Sequence, residues 1–277
     1  MRPLLAIDGD SLAHRTYHAL PRSIRGGDGR PANMIVGFAN MLVNLWEAAR
    51  PRTVFIGFDT VGEPTYRHEL LPAYQSGRDF PPELTGQLDR LPDLVGAFGF
   101  AWAKQAGFEA DDFLAAAAAA EESRGGAVVV VTSDRDLFQL VGERTTILLP
   151  RQGVSEVEPV DPAEVRSRYG VEPSQVPDFI ALRGDPSDRI PGAAGVGPRR
   201  AAAILRRYGT LEAALAAGEF PAQADDLRHY RAIATLRRDA PVPPLPDADP
   251  DWERAAALAE GWGLNGVARR LRERLRG

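Results

Sequence analysis

The sequence predicts an α/β protein in which helices cover both faces of a mostly parallel sheet, with a helical region after it. Four short apolar runs, partly β-branched and bounded by polar residues, predict buried strands at residues 4–7, 54–58, 128–131 and 147–149. Helical patterns lie between them, including residues 35–49 and the alanine-rich residues 113–123. Strands that alternate with helices are typical of a parallel sheet.

Residues 65–90 interrupt this alternation with several prolines and mixed charges. An excursion of this length between a strand and the next helix is usually functional or disordered. Beyond Pro162 the strand signals fade, so we place an α/β core at residues 1–160 and a helical region at residues 161–277. Within that region, residues 241–250 form a proline-rich strap that leads to a last helix, predicted at residues 252–274.

Composition is ordinary for a globular protein, with 44% apolar and 26% charged residues. The absence of cysteine excludes disulfides, zinc–thiolate sites and thiol catalysis, and makes a cytoplasmic setting the default expectation. No apolar run is long enough to cross a membrane. The net charge of −5 is unfavourable for holding nucleic acid, but clustered acids that bind metal ions would leave the rest of the chain positive.

Three acidic residues follow predicted strands, namely Asp8, Asp59 and Asp134. The carboxyl ends of parallel strands meet at one edge of a sheet, where active sites collect. Any one of these acids alone could equally cap a helix. Three together predict a shared cleft.

Further acids continue this pattern. They are Glu109, Asp111 and Asp112 at the start of the alanine-rich helix, Asp136 beside Asp134, and Asp185 with Asp188 in the helical region. Acids in a first helical turn also suit the helix dipole, but three within four residues repel each other unless cations intervene. Oxygen ligands alone suit Mg²⁺ or Mn²⁺, and nine carboxylates suggest two or more ions. Paired ions activate water against a phosphodiester, so the sequence predicts metal-assisted phosphate-ester hydrolysis.

A glycine-rich hairpin suggests nucleic-acid binding. Gly195 and Gly197 precede a helix start, where backbone N–H groups bind anions, and Arg199 and Arg200 add positive charge. A helix-turn-helix corner is the plain alternative. Because the hairpin directly follows the Asp185/Asp188 pair, residues 178–208 predict a helix-hairpin-helix that grips duplex backbone without reading its sequence.

Taken together, these motifs resemble the bacterial 5′-nuclease family, which includes the 5′-nuclease domain of DNA polymerase I and the flap endonucleases. The matching stretches occur in the family's order and cover almost the whole chain: residues 7–15, 28–31, 37–38, 58–59, 66–78, 109–112, 133–140 and 184–200. The resemblance implies a PIN-like 5′-nuclease core, a helical arch at about residues 65–92 and a helix-hairpin-helix. The chain ends about where a polymerase domain would begin, so we expect a free-standing nuclease.

The resemblance also assigns roles. It implies that the nine acids bind metal, that Arg15, Arg67 and Arg78 engage phosphates, and that Tyr74 stacks near the scissile nucleotide. The hairpin at Gly195 and Gly197 would clamp duplex DNA, with a K⁺ ion as a further expectation. The implied activity is 5′-3′ exonuclease and flap-endonuclease cleavage of flapped, nicked or 5′-ended DNA in replication and repair. We expect a monomer with a functional link to a polymerase and a ligase.

One position departs from the family. The residue after Tyr74 is usually a lysine, and here it is Gln75, which offers hydrogen bonds but no charge. Lys104 is the only lysine in the chain, so Arg78 could compensate. Otherwise we expect slower turnover with DNA binding retained.

Three other functions are compatible with parts of the pattern. A haloacid-dehalogenase-type phosphatase would use Asp8 and Asp10 as its strand-end motif, but Lys104 lies in no suitable context and the hairpin stays unexplained. A decayed, structure-selective DNA-binding protein would fit Gln75 but does not need nine acids. An RNA-cleaving relative shares the chemistry, since the contacts are mainly to phosphates.

Overall fold

The predicted mostly parallel sheet is present in the computed structural model, which describes residues 2–60, 62–76, 80–151 and 156–276. Within these residues six strands form one sheet in the order β3-β2-β1-β4-β5-β6. The strands are β1 Leu4–Asp8, β2 Thr53–Gly57, β3 Ala101–Ala103, β4 Val128–Val131, β5 Thr145–Pro150 and β6 Val157–Val160. All neighbouring pairs are parallel except β5 and β6. The fold class is therefore confirmed.

Alternating side chains of the central strands pack into separate cores on the two faces of the sheet. Leu5 and Ile7 point into one core, and Leu4 and Ala6 into the other. All four are fully buried. Burial on both faces explains why β1 is continuously apolar. The first polar side chain, Asp8, comes only at the strand's carboxyl end.

Helices cover both faces. Those of the α/β part are α1 Gly9–Ala19, α2 Asn33–Ala49, α3 Tyr66–Leu70, α4 Pro82–Leu88, α5 Leu91–Ala97 and α6 Ala110–Ser123. The helices that follow are α7 Pro162–Tyr169, α8 Val176–Arg183, α9 Pro198–Tyr208, α10 Leu211–Ala216, α11 Ala224–Ala234, α12 Trp252–Gly261 and α13 Asn265–Glu273. Helices α2, α5, α12 and α13 pack on one face of the sheet, and α6 with parts of α8 and α11 on the other. Among the described residues, none of these helices has the length and apolarity needed to cross a bilayer.

Two edge strands were not predicted from the sequence. Strand β3 has only three residues, one of them the exposed Trp102, so it carries almost no hydrophobic pattern. Strand β6 contains Pro159, which cannot donate to a ladder and is tolerated at a sheet edge. Both strands form through pairing with neighbours that sequence periodicity does not reveal.

The single last helix predicted at residues 252–274 is wrong. The segment folds as a hairpin of α12 and α13, which turns at Gly263 with φ +72°. A Cβ at this position would lie 2.4 Å from the backbone nitrogen of Gly27, so the turn depends on a residue without one. The turn docks on the loop around Gly27, whose N–H donates to the carbonyl of Trp262 at 2.8 Å.

A helix-hairpin-helix arrangement is present where the sequence predicts it. Helices α8 and α9 pack together, and the hairpin between them is closed by paired backbone hydrogen bonds of 2.8 Å between Asp185 and Ile190. The N–H of Ala193 donates to the carbonyl of Leu182 at 2.9 Å and anchors the segment that leads to α9 onto α8. The acids of this segment are thereby fixed relative to the helices.

Candidate active site

Acidic side chains line a cavity of about 740 Å³ at the carboxyl ends of β1, β2 and β4. Five of the nine predicted acids lie on its wall: Asp8, Asp59, Glu109, Asp111 and Asp134. The topology explains this convergence, because parallel strands deliver their carboxyl ends to one edge. The sequence prediction of a shared cleft is therefore met for these five.

Asp8 is held by two uncharged donors. Its carboxylate accepts the N–H of Ser11 at 2.9 Å, as the N-cap of α1, and the hydroxyl of Thr132 at 2.8 Å. The capping interpretation and the cleft interpretation of this residue are thus both correct. The side chain is 5% exposed, and donors from α1 and from the residue after β4 fix its position.

Asp59 ties β2 to the start of α6. Its carboxylate accepts the N–H of Ala110 at 2.7 Å, while its own N–H donates to Asp10 at 2.7 Å. The helix can approach because Gly57 has no side chain, since a Cβ there would lie 2.7 Å from the carbonyl oxygen of Ala110. This contact places Glu109 and Asp111 beside the strand-end acids.

The crowding of these carboxylates raises their pKa values. Burial, with repulsion from Asp59 and Asp134, raises the pKa of Asp8 to about 7. Burial also raises the pKa of Glu109 to about 7, although Arg67 opposes the shift. The pKa values of Asp10 and Asp111 lie well above the usual carboxyl range for the same reasons. The ionised forms are therefore unstable together unless cations are added.

A second acid group lies next to the first and shares Asp134 with it. A neighbouring cavity of about 330 Å³ is lined by Asp134, Asp136 and Asp185. Asp188 belongs to the same group, because it lines a small adjoining cavity together with Asp134 and Asp136. Burial and repulsion from Asp134, Asp188 and Asp185 raise the pKa of Asp136 well above its usual range. The N–H of Asp136 donates to Asp134 at 2.8 Å, which fixes the two acids relative to each other.

The donor set fits hard divalent cations. The two groups offer carboxylate oxygens, with hydroxyls nearby, and the raised pKa values show an excess of negative charge. Within the described ranges, however, no three carboxylate or imidazole groups converge closely enough to chelate one ion by themselves. Mg²⁺ suits such a site, because it keeps several waters and is usually held by one or two carboxylates together with substrate phosphates.

Asp112 stands apart from the other predicted metal ligands. It is fully buried, and both carboxylate oxygens accept from Arg67 at 2.9 Å. It also accepts the backbone N–H groups of Glu109 and Arg237. This geometry departs from the sequence expectation, because an acid saturated by a guanidinium and two amides has little capacity left for an ion.

Arg67 likewise differs from its expected role at a phosphate. Its side chain is 3% exposed, and its Nε donates to the carbonyl of Ile233 in α11 at 3.1 Å. With Asp112 in α6, it joins the first helix of the arch to two other helices. The guanidinium is therefore buried and holds these three helices together.

Tyr74 and Gln75 form hydrogen bonds to acids of both groups. Tyr74 is 3% exposed, and its hydroxyl donates to Glu109 at 3.0 Å, so its ring does not present a stacking surface here. Gln75 has a left-handed backbone with φ +45°. Its amide donates to the hydroxyl of Tyr74 at 2.9 Å and to Asp188 at 3.0 Å. The bond from Gln75 to Asp188 thereby links the arch to the helical region.

Arg15 lines the large cavity and is anchored by backbone carbonyls, donating to Pro150 at 2.7 Å and to Arg151. Burial lowers its pKa. Arg78, the other predicted phosphate contact of the arch, lies outside the described residues. The phosphate roles of both arginines remain predictions.

The hairpin presents a basic surface. Gly195 has φ +71°, and Gly197 is the N-cap of α9. Arg199 and Arg200 are exposed in the first turn of that helix, and Arg200 donates to the carbonyl of Gly195 at 3.4 Å. Exposed backbone and guanidinium groups at a helix start suit a phosphate backbone.

Asp10 is a metal-site candidate that the sequence pattern did not single out. Its carboxylate faces Asp59 and Asp8 in the cavity wall. A signal is present in the spacing Asp8-Gly9-Asp10, but that spacing points equally to the phosphatase alternative. Thr132, which orients Asp8, has no comparable signal, since its partner lies 124 residues away.

Comparisons with known proteins decide the family. Residues 3–170 match the N-terminal resolvase-like domain of 5′-3′ exonucleases, and residues 171–251 match their C-terminal SAM fold. The chain belongs to the 5′-3′ exonuclease family. The family prediction is therefore confirmed.

Relatives of this chain include a 5′-3′ exonuclease from Mycobacterium tuberculosis, 33% identical over 314 residues, with 99% of this chain and 98% of that protein covered. DNA polymerase I from Mycobacterium bovis is 38% identical over 255 residues, covering 88% of this chain. The chain spans only 28% of that polymerase's length.

Solved structures share the fold. A bacteriophage T5 flap endonuclease in complex with DNA and metal ions has a TM-score of 0.71 and 18% identity, covering 98% of both chains. The catalytic core of Rad2 with a DNA substrate has a TM-score of 0.61 and 16% identity, covering 98% of this chain and 90% of that one. These likenesses confirm the fold of the chain.

The buried Arg67–Asp112 pair should dominate local stability. Arg67→Met leaves a buried carboxylate unpaired, so we expect it to lower the free energy of unfolding by about 3 kcal/mol or more. Adding Asp112→Asn should recover part of that loss, because the orphaned charge is removed. Urea denaturation of both single variants and the double variant measures the coupling. Additive losses would show that the pair is not a structural unit.

Raised carboxyl pKa values predict an unusual pH dependence without metal. The folded state holds protons on Asp8 and Glu109 up to about pH 7, whereas the unfolded chain releases them near its ordinary values of 3.8 and 4.5. Stability from these groups is thus complete below about pH 4 and is lost as pH rises through 7. In EDTA, we expect a lower Tm at pH 8 than at pH 5.5.

Divalent cations should reverse this loss. Adding Mg²⁺ at pH 8 should raise the Tm more than the same addition at pH 5.5, because only ionised carboxylates bind it. Asp59→Asn should flatten the pH profile in EDTA by removing one repelling charge. A profile that is identical in the variant would contradict the assignment of the shifts to this group.

Proposed function

We propose that this chain is a metal-dependent, structure-specific 5′-nuclease that hydrolyses phosphodiesters at DNA 5′ flaps and 5′ ends. The observation that carries the proposal is the pair of adjoining carboxylate groups that share Asp134. Asp134 lines both the cavity of about 740 Å³ and the neighbouring cavity of about 330 Å³. Membership in the 5′-3′ exonuclease family supports the same reaction.

Mg²⁺ or Mn²⁺ would serve as cofactor, with Asp8, Asp59, Glu109, Asp111 and Asp134 holding ions in the first group. Asp136, Asp185 and Asp188 would serve the second group. Such ions lower the pKa of bound water and neutralise the leaving oxygen. The protein's own part is to fix the acids through Ser11, Thr132 and Ala110 and to anchor Arg15 at the cavity wall.

DNA would be held without sequence reading. The start of α9 offers the exposed Arg199 and Arg200 and the turn at Gly195, and these groups suit phosphates rather than base edges. A K⁺ ion at the hairpin carbonyls is part of this proposal. The T5 flap endonuclease, whose structure holds DNA and metal ions, supports the substrate class.

The cellular setting belongs to the proposal as well. A cytoplasmic monomer that works beside a polymerase and a ligase in replication and repair fits a nuclease that trims 5′ ends. The matched segment of DNA polymerase I supports the polymerase link.

Cleavage of a labelled double-flap DNA tests the proposal. With Mg²⁺ or Mn²⁺ we expect cutting near the flap junction. Asp134→Asn should lower the single-turnover rate by at least about 100-fold, because this acid contacts both groups. Binding of the flap, measured by fluorescence anisotropy, should stay within a few-fold of wild type.

Two controls sharpen this assay. A single-stranded oligonucleotide of the same sequence should be cut slowly, and EDTA should abolish all cutting. Tight flap binding without cleavage under either metal would reject the nuclease and leave a DNA-binding protein. Rapid hydrolysis of a small aryl phosphate would favour the phosphatase alternative.

Gln75 should limit the rate. It lies at the cavity wall without charge, where the resemblance implies a lysine. We expect Gln75→Lys to raise the single-turnover cleavage rate about tenfold, because a cation stabilises charge on the scissile phosphate. Gln75→Met is the matched control without charge or hydrogen bonding and should give no increase. An unchanged rate for Gln75→Lys would show that another residue already supplies the charge.

A further inference from the structure

The second acid group contains a cation of the protein itself. The guanidinium of Arg183, the last residue of α8, donates to Asp185 at 3.0 Å. The other oxygen of Asp185 accepts the N–H of Ser187 at 2.8 Å and also its hydroxyl. Both oxygens of Asp185 are therefore engaged. The oxygen that faces Arg183 keeps one lone pair for an ion, directly beside the guanidinium.

Arg183 is held in this position by its surroundings. Its guanidinium carbon lies 5.4 Å from the ring centre of Phe179 and 5.9 Å from that of Tyr169, and these two rings stack on each other. The side chain is 22% exposed, and its Nε is buried with no hydrogen-bond partner among the described residues. The aromatic platform and the bond to Asp185 together fix the charge beside the acids.

Asp188, in the same group, is also engaged, accepting the amide of Gln75 at 3.0 Å. In the first group, Asp8 and Asp10 accept from the neutral N–H and hydroxyl groups of Ser11, Thr132 and Asp59. Arg67 lies 3.3 Å from Glu109 of that group, but its guanidinium is already paired with both oxygens of Asp112. Arg183 also lowers the repulsion on Asp136. The two groups thus have different local charge before any ion binds.

We propose that Arg183 is a built-in counter-ion of the second acid group that competes with the divalent cation and makes this group the weaker of two metal sites. A divalent ion at Asp185 is repelled by the guanidinium and competes with it for the same carboxylate oxygen. The inference rests on the proposed function and adds a residue that sets metal affinity. Arg183 is a positioning residue, acting through Asp185.

Mn²⁺ binding to the DNA-free protein tests the proposal, with free Mn²⁺ counted by electron paramagnetic resonance. Wild type should show one tighter and one weaker class of site. Arg183→Met and Arg183→Gln should tighten the weaker class about tenfold and leave the tighter class unchanged. The Mn²⁺-induced rise in Tm should also be larger in both variants, because they lose the counter-ion in the metal-free state.

Two further variants separate the effect of the charge of Arg183 on Mn²⁺ binding from the effect of its packing. Arg183→Lys keeps a positive charge and should bind Mn²⁺ as wild type does. Arg166→Met removes an exposed arginine of α7 that pairs with Glu172 at 2.9 Å, and it should change neither class. Circular dichroism confirms that each variant is folded. If Arg183→Met does not fold, Arg183→Gln, which keeps a donor to Asp185, decides the question.

The outcomes distinguish this inference from the proposed function. Unchanged affinity of the weaker class in both Arg183→Met and Arg183→Gln, with the tighter class intact, overturns the role of Arg183 alone. Equal tightening in Arg183→Lys would assign the effect to packing and overturn it too. Absence of Mn²⁺ binding in wild type would reject the metal-dependent nuclease and this inference together.

Discussion

Mutual repulsion among buried carboxylates is the constraint on which this site depends. Strands β1, β2 and β4 deliver Asp8, Asp59 and Asp134 to one edge of the sheet, and the approach of α6 adds Glu109 and Asp111. Without bound cations, this clustering of ionised carboxylates is unfavourable, as their raised pKa values indicate. The sheet tolerates it because two apolar cores hold the strands from both faces. The repulsion stored in the fold is what favours divalent cations.

Buried ion pairs and hydrogen bonds around the acids keep them together despite that repulsion. The pair formed by Arg67 and Asp112 joins α3, α6 and α11, and it neutralises one acid that would otherwise add to the excess charge. Arg67 also faces Glu109 at 3.3 Å, so it limits the charge at one end of the group. Some of the acids therefore hold the structure, and others remain available to ions.

Much of this could be predicted from sequence, and the exceptions have physical reasons. Strand-end positions predicted Asp8, Asp59 and Asp134, because chain direction alone fixes where a parallel strand ends. Asp112 was indistinguishable from Asp111, since only the helical register turns one toward Arg67 and the other toward the cavity. Arg183 lies only two residues before Asp185, but its position also depends on the stacked rings of Phe179 and Tyr169, which meet when α8 packs against the end of α7. Long-range pairing decided the case of Asp112, whose partner Arg67 lies 45 residues away.

The two acid groups also differ in what supports them. The first stands on strand ends and the first turn of α6, elements that the cores hold firmly. The second depends on the hairpin after α8 and, through the bond from Gln75 to Asp188, on the arch. The arch also reaches the first group, because the hydroxyl of Tyr74 donates to Glu109 at 3.0 Å. Since the amide of Gln75 donates both to that hydroxyl and to Asp188, the two groups are joined through one hydrogen-bonded path, and a displacement of the arch would act on both.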